Sequence, residues 1–383
     1  MNVRYFDHAA SSWPKPPEVV EAMQQCLTEY AANPGRGSHQ MAVQASRVLL
    51  ETRIHLAKLF NVKNPNDIAF ALNTTSALNL AIKGFVKPGD HVVCTMVEHN
   101  SVRRPLEYLK GTIGISVTYV AADAKGNVAV EDVAQALRDR TTLVICNHSS
   151  NLLGSITPVE EIGRLTRSRG IRLLVDAAQT AGVFPIDVEK LGIDMLAFPG
   201  HKGLLGPQGT GGLYIHPEID LDPLLHGGTG SQSEKAEQPN VRPDRYEAGT
   251  PNTPGIAGLN AGVKIILHET VESIHNKEWN LTQRLMRGLS EIDGLHLLGP
   301  DLGEPRTGIV SFYADGIDAA EIAFKLDRHD HIAVRAGYHC TPLAHQAAGT
   351  LECGAVRASV GYFTTEEDVD YLIEAVKRIV KKR

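Results

Sequence analysis

The chain has 383 residues, of which 43% are hydrophobic and 21% charged, a profile far from that of disordered or collagen-like chains. Roughly 150 residues per domain would allow two or three domains, each with a core that needs no disulfide support. With 38 Lys plus Arg against 44 Asp plus Glu, the net charge is -6, so the charge balance gives no reason to expect nucleic acid or an anionic membrane as a partner.

The start, Met1 to Asp7, carries no apolar secretory core, and no apolar run approaches the ~18 residues of a membrane span, which places the protein in the cytoplasm. After an arm over 1–15, rich in turn formers such as Ser11, Ser12 and Pro14, Val19, Met23, Leu27 and Tyr30 recur at helical spacing. That helix ends before Asn33-Pro34-Gly35. A second is predicted from Ser38 to about Phe60, with Val43, Leu50, Ile54 and Ala57 on one face.

Short β-rich runs then recur at 67–71, 91–96, 115–120, 143–147, 172–175, 194–198 and 212–215. Several are apolar without alternation, as strands covered on both faces are, and most gaps are long enough for crossover helices. The fold class is therefore α/β with a mostly parallel seven-stranded sheet. The stretch 200–211 is glycine-rich and too short for a helical crossover, so the last strand is expected to run antiparallel. A Gly-, Pro- and Ser-rich stretch over 221–254 marks a domain boundary. This divides the chain into the arm (1–15), a large α/β domain (16–254) and a smaller α+β domain (255–383). The smaller one is expected to hold strands near 308–313 and 332–335 and helices near 319–328 and 365–381.

Five cysteines, Cys26, Cys94, Cys146, Cys340 and Cys353, form no CxxC pair, which suits a reducing compartment. The first three fall within a helix and two strands, where cysteine acts as a small hydrophobe. Cys340 lies among Gly337, Pro342 and Gly349 with His339 beside it, a setting for an exposed thiol.

Ligands of open α/β sheets sit beyond the carboxyl ends of the strands. There the chain places Thr74-Thr75-Ser76, Glu98-His99-Asn100, Asn147 to Asn151, Asp176 to Gln179 and Gly200-His201-Lys202-Gly203. Taken singly, Thr75, Ser76 and Asp176 read as helix caps and Lys202 as a solvated lysine. Together they supply an acid for a ring nitrogen (Asp176), an amine for an aldehyde (Lys202) and a hydroxyl at a helix start for a phosphate (Thr75), the needs of pyridoxal 5'-phosphate. The glycine run 206–212 precedes a strand and has no lysine in the P-loop position, so it suits neither ATP nor NAD.

The ordered blocks Phe6-Asp7-His8-Ala9-Ala10-Ser11, Asn73-Thr74-Thr75-Ser76, Glu98-His99-Asn100-Ser101, Val175-Asp176-Ala177-Ala178-Gln179, Gly200-His201-Lys202, Ala248-Gly249-Thr250-Pro251, Arg335-Ala336-Gly337-Tyr338-His339-Cys340 and Val356-Arg357-Ala358-Ser359 resemble the class V aminotransferase superfamily of fold-type I enzymes. Within it the likeness is to the cysteine desulfurase and selenocysteine lyase group, and over the cysteine loop to its second subgroup.

The resemblance implies that Lys202 holds the cofactor aldehyde, Asp176 pairs with the ring nitrogen and His99 stacks on the ring. Gln179 and Asn151 would lie near the ring hydroxyl. Thr75, Ser76 and His201 would bind at the phosphate end, with Thr250 reaching it from the other subunit of a homodimer. Arg357 would clamp the substrate carboxylate, Arg335 would lie near it, and Cys340 would carry the sulfur as a persulfide when L-cysteine is converted to alanine. A protein acceptor would take that sulfur. In two places the sequence departs from better-known relatives: Pro199 stands where many have a phosphate-binding serine, and Ser76 and Asn100 replace common Glu and His.

Other readings are a selenocysteine lyase, a C–S lyase or an aminotransferase on the same fold. From a different class comes a non-catalytic metal-binding protein, since His329, His331, His339, Cys340, His345 and Cys353 crowd together. That reading leaves Lys202, Asp176 and Thr75 without a task, and no metal is expected.

Overall fold

A computed structural model describes residues 3–35 and 37–381, so the first two residues of the expected arm, Arg36 and the last two residues lie outside the description. In chain order the strands are β1 (Arg4–Tyr5), β2 (Ile68–Ala71), β3 (His91–Thr95), β4 (Ser116–Val120), β5 (Thr141–Asn147), β6 (Arg172–Asp176), β7 (Met195–Pro199), β8 (Gly211–Ile215), β9 (Leu295–Leu298), β10 (Ile309–Ala314), β11 (Ile332–Ala333), β12 (Arg335–Gly337) and β13 (Ala355–Ser359). The helices are α1 (Pro17–Gln25), α2 (Gln40–Phe60), α3 (Thr74–Phe85), α4 (Asn100–Ile113), α5 (Val130–Ala136), α6 (Val159–Ser168), α7 (Thr253–Glu269), α8 (Val271–Ser290), α9 (Ala319–Asp330), α10 (Pro342–Ala347) and α11 (Glu366–Lys381).

Seven strands form the main sheet in the order β2-β8-β7-β6-β5-β3-β4. Pairs from β7 through β6, β5 and β3 to β4 are parallel, and β8 alone runs against its neighbours β2 and β7. This is the α/β sheet expected from the apolar runs, including the antiparallel last strand. Both faces are covered: Val92 and Cys94 of β3 join one hydrophobic cluster with Leu78 and Leu106, while Val93 joins another with Val144 and Phe198. Alternate residues of a strand point to opposite faces, so an unbroken apolar run is what two covered faces require.

A second sheet, β12-β13-β10-β9, is antiparallel. Its core runs from Leu281 to Ile379 and takes in Phe6 from the N-terminal segment. Strand β1 pairs in parallel with β11, so the start of the chain is stitched to its C-terminal third. Helix α7 packs on α1 and α2, and its Leu259, Val263 and Ile266 belong to the core under the main sheet.

Three local differences from the sequence reading have physical causes. The second helix begins two residues late because His39 caps it, its ring accepting from Ala42 N. The strand expected at 332–335 is split, because β11 pairs with β1 while β12 turns away to pair with β13. On α2, Val43, Leu50 and Ile54 are exposed, whereas Ala42, Ala45, Leu49 and Leu56 are buried with Ala57. The helix has two apolar stripes, and the one that carries Ala42, Ala45, Leu49 and Leu56 faces the core.

Candidate active site

The carboxyl ends of the parallel strands bring the site together. Asp176 closes β6, Asn147 closes β5, Thr74 and Thr75 open α3 behind β2, and His99 is the N-cap residue of α4. Lys202 follows β7 in a turn closed by Gly200 N to Thr210 O and Gly206 N to Gly200 O, both 2.8 Å. A Cβ on Gly200 would stand 2.0 Å from Thr210 Oγ1, so glycine is required for this turn to close. The main chain of His201 is pinned by the N-terminal segment: its carbonyl accepts from Ser12 N (3.0 Å) and Lys15 Nζ (3.0 Å).

Thr75, His99, Asn151, Asp176, Gln179, His201, Lys202, Arg335 and Arg357 all line one cleft. Asp176 is buried and accepts from Ala178 N at 2.8 Å; burial raises its pKa to about 6, against that hydrogen bond and the attraction of Lys202. Burial, then the positive Arg357, lowers Lys202 to about 8, with Asp176 opposing. Burial, then Lys202, brings His99 down to about 4. Its Nδ1 accepts from Ser101 N (3.1 Å), so the neutral ring carries its proton on Nε2.

Thr75 Oγ1 lies 2.7 Å from Ser101 Oγ, and Gln179 Nε2 donates to Ala9 O (3.1 Å). Asn151 donates through Nδ2 to His339 O (2.8 Å) and leaves Oδ1 buried without a partner, as is His201 Nδ1. Arg357 on β13 lies in register with Arg335 on β12. Its Nη2 bonds Asp7 Oδ1 (2.8 Å), Nη1 donates to Asn151 O (2.9 Å), and Nε is buried and free.

Cys340 is exposed just after β12, with Sγ 3.8 Å from Arg335 Nη2. Cys26, Cys94 and Cys146 are buried, and burial raises all three thiols. Two predicted residues lie away from the cleft within this single chain. Ser76 is half-buried on the first turn of α3, where its N and Oγ donate to Asn73 Oδ1. Thr250 is exposed and lines a separate hollow with Arg53 and Glu247. Pro199 ends β7 and offers no side-chain donor. Among the described residues no group of three or more His, Cys, Asp or Glu is arranged to hold a metal ion.

Sequence reasoning assigned no task to Asp7, Lys15, Glu98 or Ser101. Glu98 is buried beneath the cleft, where its Oε1 accepts from Asn147 N (2.6 Å) and burial lifts its pKa to about 8. Asp7 sits in the Phe6 to Ser11 block, and its short polar-and-alanine pattern was the available signal.

These residues fit pyridoxal phosphate. A buried carboxylate with one backbone partner calls for a cationic ring nitrogen, and an amine of pKa about 8 is poised to attack an aldehyde. The start of α3, with Thr75 and the unpartnered His201 Nδ1, offers donors to a phosphate.

The family model for aminotransferase class-V matches residues 4–372. The chain belongs to this family, whose members are pyridoxal phosphate enzymes of fold type I. It is 37% identical to a probable cysteine desulfurase of Methanothermobacter thermautotrophicus, over 98% of this chain and 94% of the relative. A probable cysteine desulfurase of Pyrococcus abyssi is also 37% identical, over 99% and 94%. The apo structure of a cysteine desulfurase from Thermococcus onnurineus superposes with a TM-score of 0.94 at 35% identity, covering 100% of this chain and 95% of that one.

Proposed function

We propose that the protein is a pyridoxal phosphate-dependent cysteine desulfurase that converts L-cysteine to L-alanine and holds the sulfur as a persulfide on Cys340. The observation that carries this reading is the exposed Cys340 thiol facing Arg335 at the rim of a cleft that also holds Lys202, Asp176 and Arg357. Cysteine desulfurase relatives at this identity and coverage support it.

When bound, the cofactor supplies an electron sink for the bonds around the substrate Cα. Asp176 holds the charge of the ring nitrogen, and His99 presents a neutral ring from the N-cap of α4. Thr75 and His201 would hold the phosphate end, while Gln179 and Asn151 would lie at the ring hydroxyl. Arg357 binds the substrate carboxylate through Nε and its remaining N–H groups, a bidentate task suited to a planar guanidinium. Lys202 Nζ, with its pKa near neutrality, takes and returns the α-proton. Cys340 Sγ forms an S–S bond to the substrate sulfur as the C–S bond breaks; the electron pair stays with carbon, which takes a proton to become alanine. Arg335 faces the attacking sulfur.

The same reading includes a homodimer with shared sites and a separate acceptor for which the exposed Cys340 is accessible. Supporting the dimer, exposed Leu72, Leu224, Leu225 and Thr250 line one hollow, and Val43, Leu50 and Ile54 of α2 are exposed as well. An unpaired apolar surface of this kind marks an interface. Thr250 would then complete the phosphate site of the partner. The reading also keeps an arm (1–15), a larger unit (16–254) and a smaller unit (255–383), although the second boundary falls within α7, which packs on α1 and α2 of the larger unit. No helix among the described residues is long and apolar enough to cross a membrane. Five unpaired cysteines suit a cytoplasmic setting.

Product analysis with L-cysteine tests the activity. Alanine with stoichiometric sulfur is expected; pyruvate and ammonia would instead identify a C–S lyase, and a keto acid without ammonia an aminotransferase.

A further inference from the structure

Cys340 and His339 share an uncommon backbone. Their φ angles are 59° and 51°, so two successive residues with side chains occupy the left-handed region. That conformation is unfavourable for L-residues and persists where surrounding contacts over-determine it.

Three hydrogen bonds supply those contacts, one on each of three successive residues. Asn151 Nδ2 donates to His339 O (2.8 Å), Asn100 N donates to Cys340 O (2.9 Å), and Thr341 Oγ1 donates to Glu98 O (3.0 Å). Thr341 N closes the turn onto Tyr338 O (3.0 Å). Thr341 is the N-cap residue of α10 but makes no side-chain capping bond there, so its hydroxyl serves the bond to Glu98 O instead. It has no solvent exposure, so its hydroxyl has no water to turn to if the bond is lost.

We propose that Thr341 is a positioning residue for the Cys340 thiol. Its hydroxyl ties the cysteine turn to the loop between β3 and α4, and thereby seats Cys340 O on Asn100 N and keeps residues 339 and 340 left-handed. The turn is also tied to the carboxylate clamp. Asn151 holds His339 O with its side chain and Arg357 Nη1 with its carbonyl, so the thiol and the arginine that binds substrate share one support. Loss of the Thr341 hydroxyl would leave Arg357 in place and let the sulfur wander, which harms the attack on substrate sulfur more than substrate binding. This inference rests on the desulfurase reading for its kinetic consequence, though not for its structural one.

The test compares Thr341→Val, Thr341→Ala and Thr341→Ser in the cofactor-loaded protein. Single-turnover mass spectrometry with L-cysteine gives the rate of persulfide formation on Cys340, steady-state kinetics gives KM, and hydrogen exchange reads the Asn100 amide. Thr341→Val and Thr341→Ala should each slow persulfide formation about tenfold and speed Asn100 exchange by a similar factor, the loss of one buried hydrogen bond, with KM changed less than about twofold. Thr341→Ser, which keeps the hydroxyl, should restore both. Unchanged Asn100 exchange and unchanged persulfide rate in both Val and Ala variants would overturn the proposal, as would a Ser variant no better than Ala. Absence of persulfide in the unmodified protein would instead refute the desulfurase reading, and Asn100 exchange would still decide whether Thr341 anchors the turn.

Discussion

Asp7 and Arg357, 350 positions apart in the chain, meet at 2.8 Å between Oδ1 and Nη2. The Arg357 side chain is 1% exposed, and the carboxylate offsets part of the cost of burying its charge. With Nη1 spent on Asn151 O, the contact fixes the guanidinium and leaves Nε buried without a protein partner. Asp7→Asn should therefore cost on the order of 2 kcal/mol of stability, below the range for a fully buried pair because Asp7 stays 21% exposed. It should raise KM for L-cysteine by about tenfold with little change in kcat. Thermal melts and steady-state kinetics check this; a lower kcat at unchanged KM would show that Asp7 does not act through Arg357.

Glu278 on α8 lines a second cavity that also touches Lys202 and His8. Burial raises its carboxyl to about 8. Between the ordinary value near 4.5 and this raised one, the native protein binds a proton that the unfolded chain has released, so stability falls as pH rises and the cost is complete above about pH 8. Glu278→Gln should leave stability at pH 4.5 almost unchanged and raise it at pH 8.5 by on the order of 2 kcal/mol. Denaturant melts at the two pH values would show this; equal effects at both would mean that Glu278 is ionised in the folded protein.

The exposed apolar face of α2 should be an interface between two copies. Light scattering of the unmodified protein should give twice the mass of one chain, and the Leu50→Glu, Ile54→Glu double variant should shift toward the monomer and lose activity. A monomeric, fully active protein would remove both the dimer and the proposed task of Thr250.

The main sheet was legible because its strands are apolar on both faces, and the short glycine-rich 200–211 connection left room only for an antiparallel return. The smaller sheet was less so. β9 is four residues long and half exposed, and β13 carries Arg357 within a buried strand, against the usual burial preferences. The cleft was legible where chemistry follows a strand directly, as at Asp176 and Lys202. Asp7 and Lys15 stayed hidden because their partners, Arg357 and the His201 carbonyl, lie 350 and 186 positions further along the chain. Thr341 was hidden for another reason: its task shows only in the φ angles of its neighbours and in a bond to Glu98 O, neither of which a sequence pattern displays.

The central claim is that Cys340 carries the sulfur. Its most direct test is peptide mass spectrometry of the cofactor-loaded protein after a single turnover of L-cysteine, with thiols trapped by alkylation. One extra sulfur on the Cys340 peptide is expected, with Cys26, Cys94, Cys146 and Cys353 unmodified and with Cys340→Ser binding cysteine yet carrying no extra sulfur. Extra sulfur on Cys353 instead, or full alanine production by Cys340→Ser, would contradict it.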